Sequence, residues 1–180
     1  MENIVPVTKV DDIFNEYRST PVERLLEYHN LGRKSETYNK AQVLICTCMD
    51  NRIGLRLPDK FAYIIRTGGG NILQNDFHVS YAIAVGQIEH IILIGHNKCG
   101  MVNLHLRKDD FIDGLVERAG WTKEMADKHF NQDFLQCEIE NEMEYLLKDV
   151  ERLREQYPKI NVVPLMYLVE ENMLYQVKEE

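Results

Sequence analysis

The strongest constraint on how this chain can fold is a set of short, almost unbroken apolar runs. Gln42 to Cys48, Phe61 to Arg66, His90 to Ile94 and Asn161 to Val169 are each of strand length and rich in Val and Ile. Apolar residues fill successive positions rather than alternate ones, so these strands are predicted to be buried on both faces. A mostly parallel sheet covered by helices provides that environment. Between the second and third runs, Asp76 can cap a helix reaching about Ile88, whose Ala82, Ala84 and Val85 suit close packing on a sheet; this makes a βαβ unit. Leu135, Ile139, Met143, Leu146, Val150, Leu153 and Tyr157 recur every three or four residues and predict one long amphipathic helix, with Pro158 just beyond it. Glu171-Asn172 can turn the chain into a final strand, Leu174 to Val177, as an edge hairpin. The expectation is an α/β fold with about four parallel strands, an antiparallel edge strand and flanking helices.

A chain of 180 residues suits a single domain spanning 1–180. Residues 1–38, with Ile13, Tyr17, Val22, Leu25, Leu26 and Leu31, predict a helical arm at its start. The stretch Arg107 to Asn131 is helical in character but interrupted by Gly114 and Gly120. The net charge of −8 comes without a basic stripe, which argues against nucleic acid as a partner. Every apolar run falls well short of the roughly 20 residues a membrane-spanning helix needs. The N-terminus carries no basic and apolar leader, so a cytoplasmic location is expected. Four cysteines are too few for a disulfide scaffold, and in a reducing compartment they are candidates for ligands, catalysts or core residues.

Two clusters carry the chemistry. Cys48-Met49-Asp50-Asn51-Arg52 ends the first strand and His96-Asn97-Lys98-Cys99-Gly100 ends the third. Ligands of open α/β sheets bind beyond the carboxyl ends of the strands, so neighbouring strands would bring both clusters to one crevice. Two thiolates and an imidazole from Cys48, His96 and Cys99 form a soft ligand set suited to Zn2+, and three protein ligands leave a fourth position for water. Asp50 and Arg52 are spaced for a bidentate pair that holds the carboxylate beside the metal, where it can orient the water. Arg66-Thr67-Gly68-Gly69-Gly70-Asn71 follows the second strand, and Thr67, Gly68 and Gly69 are candidates to line a substrate pocket.

Other readings remain open on these residues. Cys46 lies two before Cys48, on the same strand face, and as a fourth ligand would close the site into a structural zinc module. A Cys46–Cys48 redox pair lacks the two-residue spacing of the Cys-x-x-Cys motif. Cys137 reads as a packing or exposed thiol. His29, His78, His90, His105 and His129 stand alone in sequence, with His29 and His105 the better candidates for moving protons.

Taken together, CxDxR, the Arg66-x-x-Gly69 loop and Gly95-His96-x-x-Cys99-Gly100, in this order, resemble the β-class carbonic anhydrases over about Ala41 to Val102. The resemblance implies a four-stranded parallel core, Zn2+ on Cys48, His96 and Cys99, a dimer whose N-terminal helices embrace the partner, and hydration of carbon dioxide to bicarbonate by a zinc-bound hydroxide. It implies a catalytic role for Asp50 and Arg52. Many relatives carry Ser at the place of Asn51, Asn-Ala-Gly at Thr67-Gly68-Gly69, and Thr-Asp at Asn97-Lys98, so the pocket departs from the common pattern around an intact ligand set. Members of the wider family hydrolyse carbon disulfide or carbonyl sulfide on the same metal site, and a regulatory protein that keeps the metal but not turnover is a third possibility. A homodimer or dimer-based oligomer is expected, because a small core leaves the apolar residues of the arm in need of cover.

Overall fold

The structure is a computed structural model that describes residues 3–34 and 36–179. Its centre is a six-stranded sheet in the order β1-β6-β5-β4-β2-β3. The elements are β1 (Ile4–Pro6), α1 (Pro21–His29), β2 (Val43–Cys48), β3 (Ala62–Thr67), α2 (Asp76–Ala84), β4 (His90–His96), α3 (Lys108–Ala119), α4 (Lys123–Cys137), α5 (Glu142–Gln156), β5 (Asn161–Leu168) and β6 (Met173–Val177). Strands β3, β2, β4 and β5 run parallel, while β6 is antiparallel to β5 and β1 antiparallel to β6. The parallel core follows the sequence expectation, and β2 is buried at every position.

Apolar clusters lie on both faces of the sheet. One gathers Val43, Ile45, Ile92, Ile94, Val163 and Leu165 with the N-terminal segment; the other gathers Leu44, Leu93, Val162 and Met166 with α2 and α5. This is the burial on both faces that the continuous apolar runs demand.

Four expectations change. First, β6 is not the edge strand, because β1 pairs outside it, leaving β1 and β3 as the two edges. Being at an edge, β3 leaves Tyr63 and Ile64 exposed despite its apolar sequence. Second, among the described residues before Asn39 there is one α-helix, α1, capped by Thr20 and opened by Pro21, preceded by β1 and single 3-10 turns at Val10–Asp12 and Asn15–Tyr17. Its Ile13, Tyr17, Val22, Leu25 and Leu26 are buried in this chain's own core, so they need no partner to cover them. Third, the predicted helix from Leu135 to Tyr157 is broken. Chain direction changes at Glu138–Asn141, where Ile139 is drawn into the core and donates its N–H to the Met101 carbonyl at 3.0 Å, and Asn141 then caps α5 through the amides of Met143 and Glu144. Fourth, Asp76 does not cap α2; its carboxylate accepts from Arg152 Nη1 at 3.1 Å, and the helix ends at Ala84, not Ile88. The Arg107 to Asn131 stretch forms α3 and much of α4, divided at Gly120 in the left-handed conformation that ends α3.

Candidate metal centre

Parallel pairing of β2 with β4 puts the ends of both strands side by side. There the ligand atoms of Cys48, His96 and Cys99, all buried, lie within 4.8 Å of one another. The two sulfurs are 3.9 Å apart. Two thiolates on one tetrahedral Zn2+ at about 2.3 Å each would stand roughly 3.8 Å apart, so the spacing fits that metal.

The imidazole is oriented for the same task. His96 Nδ1 faces the Asn97 carbonyl at 3.0 Å, and since a carbonyl can only accept, Nδ1 carries the proton. This leaves Nε2 as a bare lone pair, buried and without a hydrogen-bond partner, which is the arrangement of a metal-binding histidine with its outer nitrogen fixed by a carbonyl. The hydrogen bond between the two sulfurs lowers the Cys48 thiol and raises the Cys99 thiol, because the proton they share favours a thiolate on one side. A divalent cation bound to both sulfurs would displace the protons they hold.

Asp50 stands at the rim. Arg52 grips it through Nε to Oδ1 at 2.9 Å and Nη2 to Oδ2 at 2.6 Å, and the Arg52 N–H adds a third bond to Oδ1 at 2.9 Å. These bonds hold the carboxyl well below the usual carboxylate range. The same Nη2 donates to the Lys98 carbonyl at 2.8 Å, tying the first cluster to the second. Sequence reading anticipated the Asp50–Arg52 pair but not Lys98, whose backbone carries no residue-type signal.

The glycine loop packs against this centre. Gly69 and Gly70 take φ of +65° and +77°, which other residues rarely adopt, and a Cβ on Gly70 would come within 3.6 Å of the Cys48 amide nitrogen. Thr67 and Gly68 line an apolar cavity of about 400 Å3 with Met101, Phe111, Phe130 and Phe134, whereas Gly69 lines a separate cavity of about 20 Å3 behind His96 and Cys99. The three candidate pocket residues thus divide between two spaces.

Cys46 is not among the clustered ligand atoms; it packs with Leu44, Leu93 and Val79 in the other apolar cluster, and burial raises its thiol. Cys137 lines the larger cavity, and no disulfide joins the cysteines. His105 pairs with Glu138 and His129 with Asp133, both away from the ligand cluster. Residues that sequence reading missed include Glu142, which accepts from the Cys99 N–H at 3.2 Å, and Glu170, which takes both Asn97 Nδ2 and Lys98 Nζ. No local pattern marks either glutamate.

The fold is a mostly parallel α/β sheet with a buried Cys-His-Cys cluster at its strand ends and a carboxylate locked to an arginine, a donor set suited to a soft divalent metal. The family model described as carbonic anhydrase matches residues 43–174, and the chain belongs to that family. Among curated protein sequences none matches. Among solved structures, β-carbonic anhydrase isoform I of Trichomonas vaginalis is 18% identical, with 85% of this chain and 92% of that one covered and a TM-score of 0.63. The carbonic anhydrase of Streptococcus mutans is 20% identical over 92% of this chain and 100% of its own, at 0.59. A carbon disulfide hydrolase in its apo form is 21% identical over 93% of each chain, at 0.54. The fold is that of the β-class enzymes.

Proposed function

We propose that the chain catalyses the reversible hydration of carbon dioxide to bicarbonate, with Zn2+ held by Cys48, His96 and Cys99. The observation that carries this reading is the orphaned, buried His96 Nε2 facing two sulfurs beside a carboxylate fixed by Arg52. When bound, the metal supplies the Lewis acidity that makes water a nucleophile near neutral pH.

The protein's own contribution follows from its geometry. Held ionised by Arg52, Asp50 is acceptor-only at neutral pH, so it orients a donor water and does not itself deliver a proton. Oδ1 accepts two Arg52 donors and Oδ2 one, which leaves the second acceptor position of Oδ2 for that water. The Lys98 carbonyl keeps the guanidinium from turning away, so the carboxylate stays off the metal position. The cavity beside Thr67 and Gly68 is lined mainly by apolar and amide side chains, with Asp133 its one carboxylate among the described residues, and the apolar part suits an uncharged substrate.

A second reading, hydrolysis of carbon disulfide or carbonyl sulfide, draws support from the same apolar lining, which includes Met101 and Cys137, and from the shared fold of a carbon disulfide hydrolase. Stopped-flow indicator measurements of carbon dioxide hydration by the zinc-loaded protein, beside sulfide release from the two sulfur compounds, rank the substrates. Absence of turnover on all three would overturn the enzyme reading in favour of a regulatory one.

A homodimer is part of this proposal. Its support comes from the free β3 edge and from α2, where Phe77 is 78% exposed and Tyr81 is exposed, with exposed Val85 just beyond the helix. Residence in a reducing compartment such as the cytoplasm is proposed because the ligand thiols must remain unoxidised. No helix among the described residues is long and apolar enough to cross a membrane.

A further inference from the structure

The segment between β2 and β3 carries the Asp50–Arg52 pair but has no regular secondary structure of its own. Irregular backbone beside a reaction centre needs outside anchors if it is to hold a side chain in one place. Two buried side chains supply them. Tyr167, on β5 and fully buried, accepts the Gly54 N–H at its hydroxyl at 3.2 Å. His29, at the end of α1 and 1% exposed, accepts the Arg56 N–H at Nδ1 at 3.0 Å.

These anchors are themselves joined. The Tyr167 hydroxyl donates to Asn172 Oδ1 at 3.0 Å, and His29 Nε2 donates to the Asn172 carbonyl at 3.1 Å, so both converge on the residue that turns β5 into β6. The two rings lie 5.8 Å apart. The backbone of Tyr167 serves the other cluster: Tyr167 stands opposite His96 in the β4–β5 register, and its carbonyl accepts the Asn97 N–H at 3.3 Å. A single residue thus touches the turn after His96 with its backbone and the Asp50–Arg52 segment with its hydroxyl. Neither Tyr167 nor His29 belongs to either motif, and neither reaches the ligand atoms.

We propose that Tyr167, backed by His29 and Asn172, is a positioning residue that fixes the Asp50–Arg52 pair relative to Cys48, His96 and Cys99 and so keeps Asp50 from swinging onto the metal. The proposal deepens the carbonic anhydrase reading, and its kinetic consequence rests on that reading. Its physical content is that loosening the clamp changes where Asp50 sits, not whether the metal binds.

The test uses two substitutions that spare the core. Tyr167→Phe keeps the ring and removes the hydroxyl. Asn172→Gly removes the Oδ1 acceptor, suits the left-handed φ of 53° at that position, and keeps the carbonyl that receives His29. With cobalt in place of zinc, both variants are expected to bind one metal per chain as the wild type does, while the visible absorption bands change because a carboxylate enters the coordination sphere. Hydrogen exchange at the Gly54 amide should speed up at least tenfold in Tyr167→Phe. For carbon dioxide hydration, kcat should fall about tenfold with KM little changed, the size usual for loss of an outer-shell support. In an Asp50→Asn background, Tyr167→Phe should produce no further change in spectrum or rate, because the group being positioned is gone. An equal loss in both backgrounds would mean a general structural role and overturn the proposal. So would an unchanged cobalt spectrum together with unchanged Gly54 exchange. If the wild type hydrates no carbon dioxide, the functional reading fails, yet the spectrum and the exchange still decide the clamp.

Discussion

Removing the metal should cost this fold a calculable part of its stability. Cys48, His96 and Cys99 are 3%, 2% and 7% exposed, so an empty centre leaves a buried imidazole nitrogen unpaired and returns a proton to the sulfurs. A metal that binds only the folded chain stabilises it by about 2.7 kcal/mol at a free concentration 100 times its Kd. A chain of this length shifts its Tm by about 2–4 °C per kcal/mol, so zinc at that excess should raise Tm by about 5–11 °C over the chelated protein. Thermal melts followed by circular dichroism, with buffered zinc against excess chelator, measure the difference. Cys99→Ser should reduce the zinc-dependent rise to under about 1 °C whatever it does to the apo Tm, whereas Cys46→Ser and Cys137→Ser should keep it whole. The reasoning is refuted if Cys99→Ser retains the full rise, or if Cys46→Ser abolishes it, since a fourth sulfur would then complete a closed site.

Arg52→Ala should retain one zinc per chain, by elemental analysis, and lose about 10–100-fold in carbon dioxide hydration, because it frees the carboxylate that the guanidinium holds. Burial, chiefly, and the nearby Arg56 charge lower His29 from the ordinary imidazole value to about 4, so His29 stays neutral in the fold while the unfolded chain takes up a proton as pH drops below about 6.5. The sign follows: this contribution is full above about pH 6.5, falls by about 2 kcal/mol by pH 5, and is lost towards pH 4. Urea unfolding at pH 7 and pH 5 should show that decrement in the wild type and not in His29→Gln, which can still accept from Arg56 and donate to Asn172. Phe77→Glu should turn a dimer into a monomer by light scattering while leaving the far-ultraviolet spectrum unchanged; a wild-type monomer at micromolar concentration would remove the homodimer from the proposal.

The parallel core was legible because strands buried on both faces leave a sequence mark, a run of Val and Ile without alternation. The motif clusters were legible because each sits directly after such a run, so the topology that pairs β2 with β4 also joins Cys48 to His96 and Cys99. Where the reading failed, competing interactions left no periodic trace. The helical spacing of Leu135 to Tyr157 continues through a break because Ile139 is as useful to the core in extended chain as in helix, and only the Asn141 cap marks the restart. Strand β3 has the composition of an interior strand, and its place at an edge follows from the strand order, which composition does not record. His29 and Tyr167 support the Asp50 segment across 27 and 113 residues of separation, distances at which a sequence offers no spacing rule.

The two edges of the sheet are unlike. Strand β1 is three residues long and ends in Pro6, which has no N–H to donate, whereas β3 presents six residues to the outside. A molecule with two adhesive edges can add copies end to end without limit. One with a single adhesive edge is saturated by the first copy it meets, since a two-fold pairing consumes the surface on both sides at once. In the proposed homodimer Pro6 would act as a terminator: by blunting one edge it would let the other stay apolar and open without committing the protein to fibres.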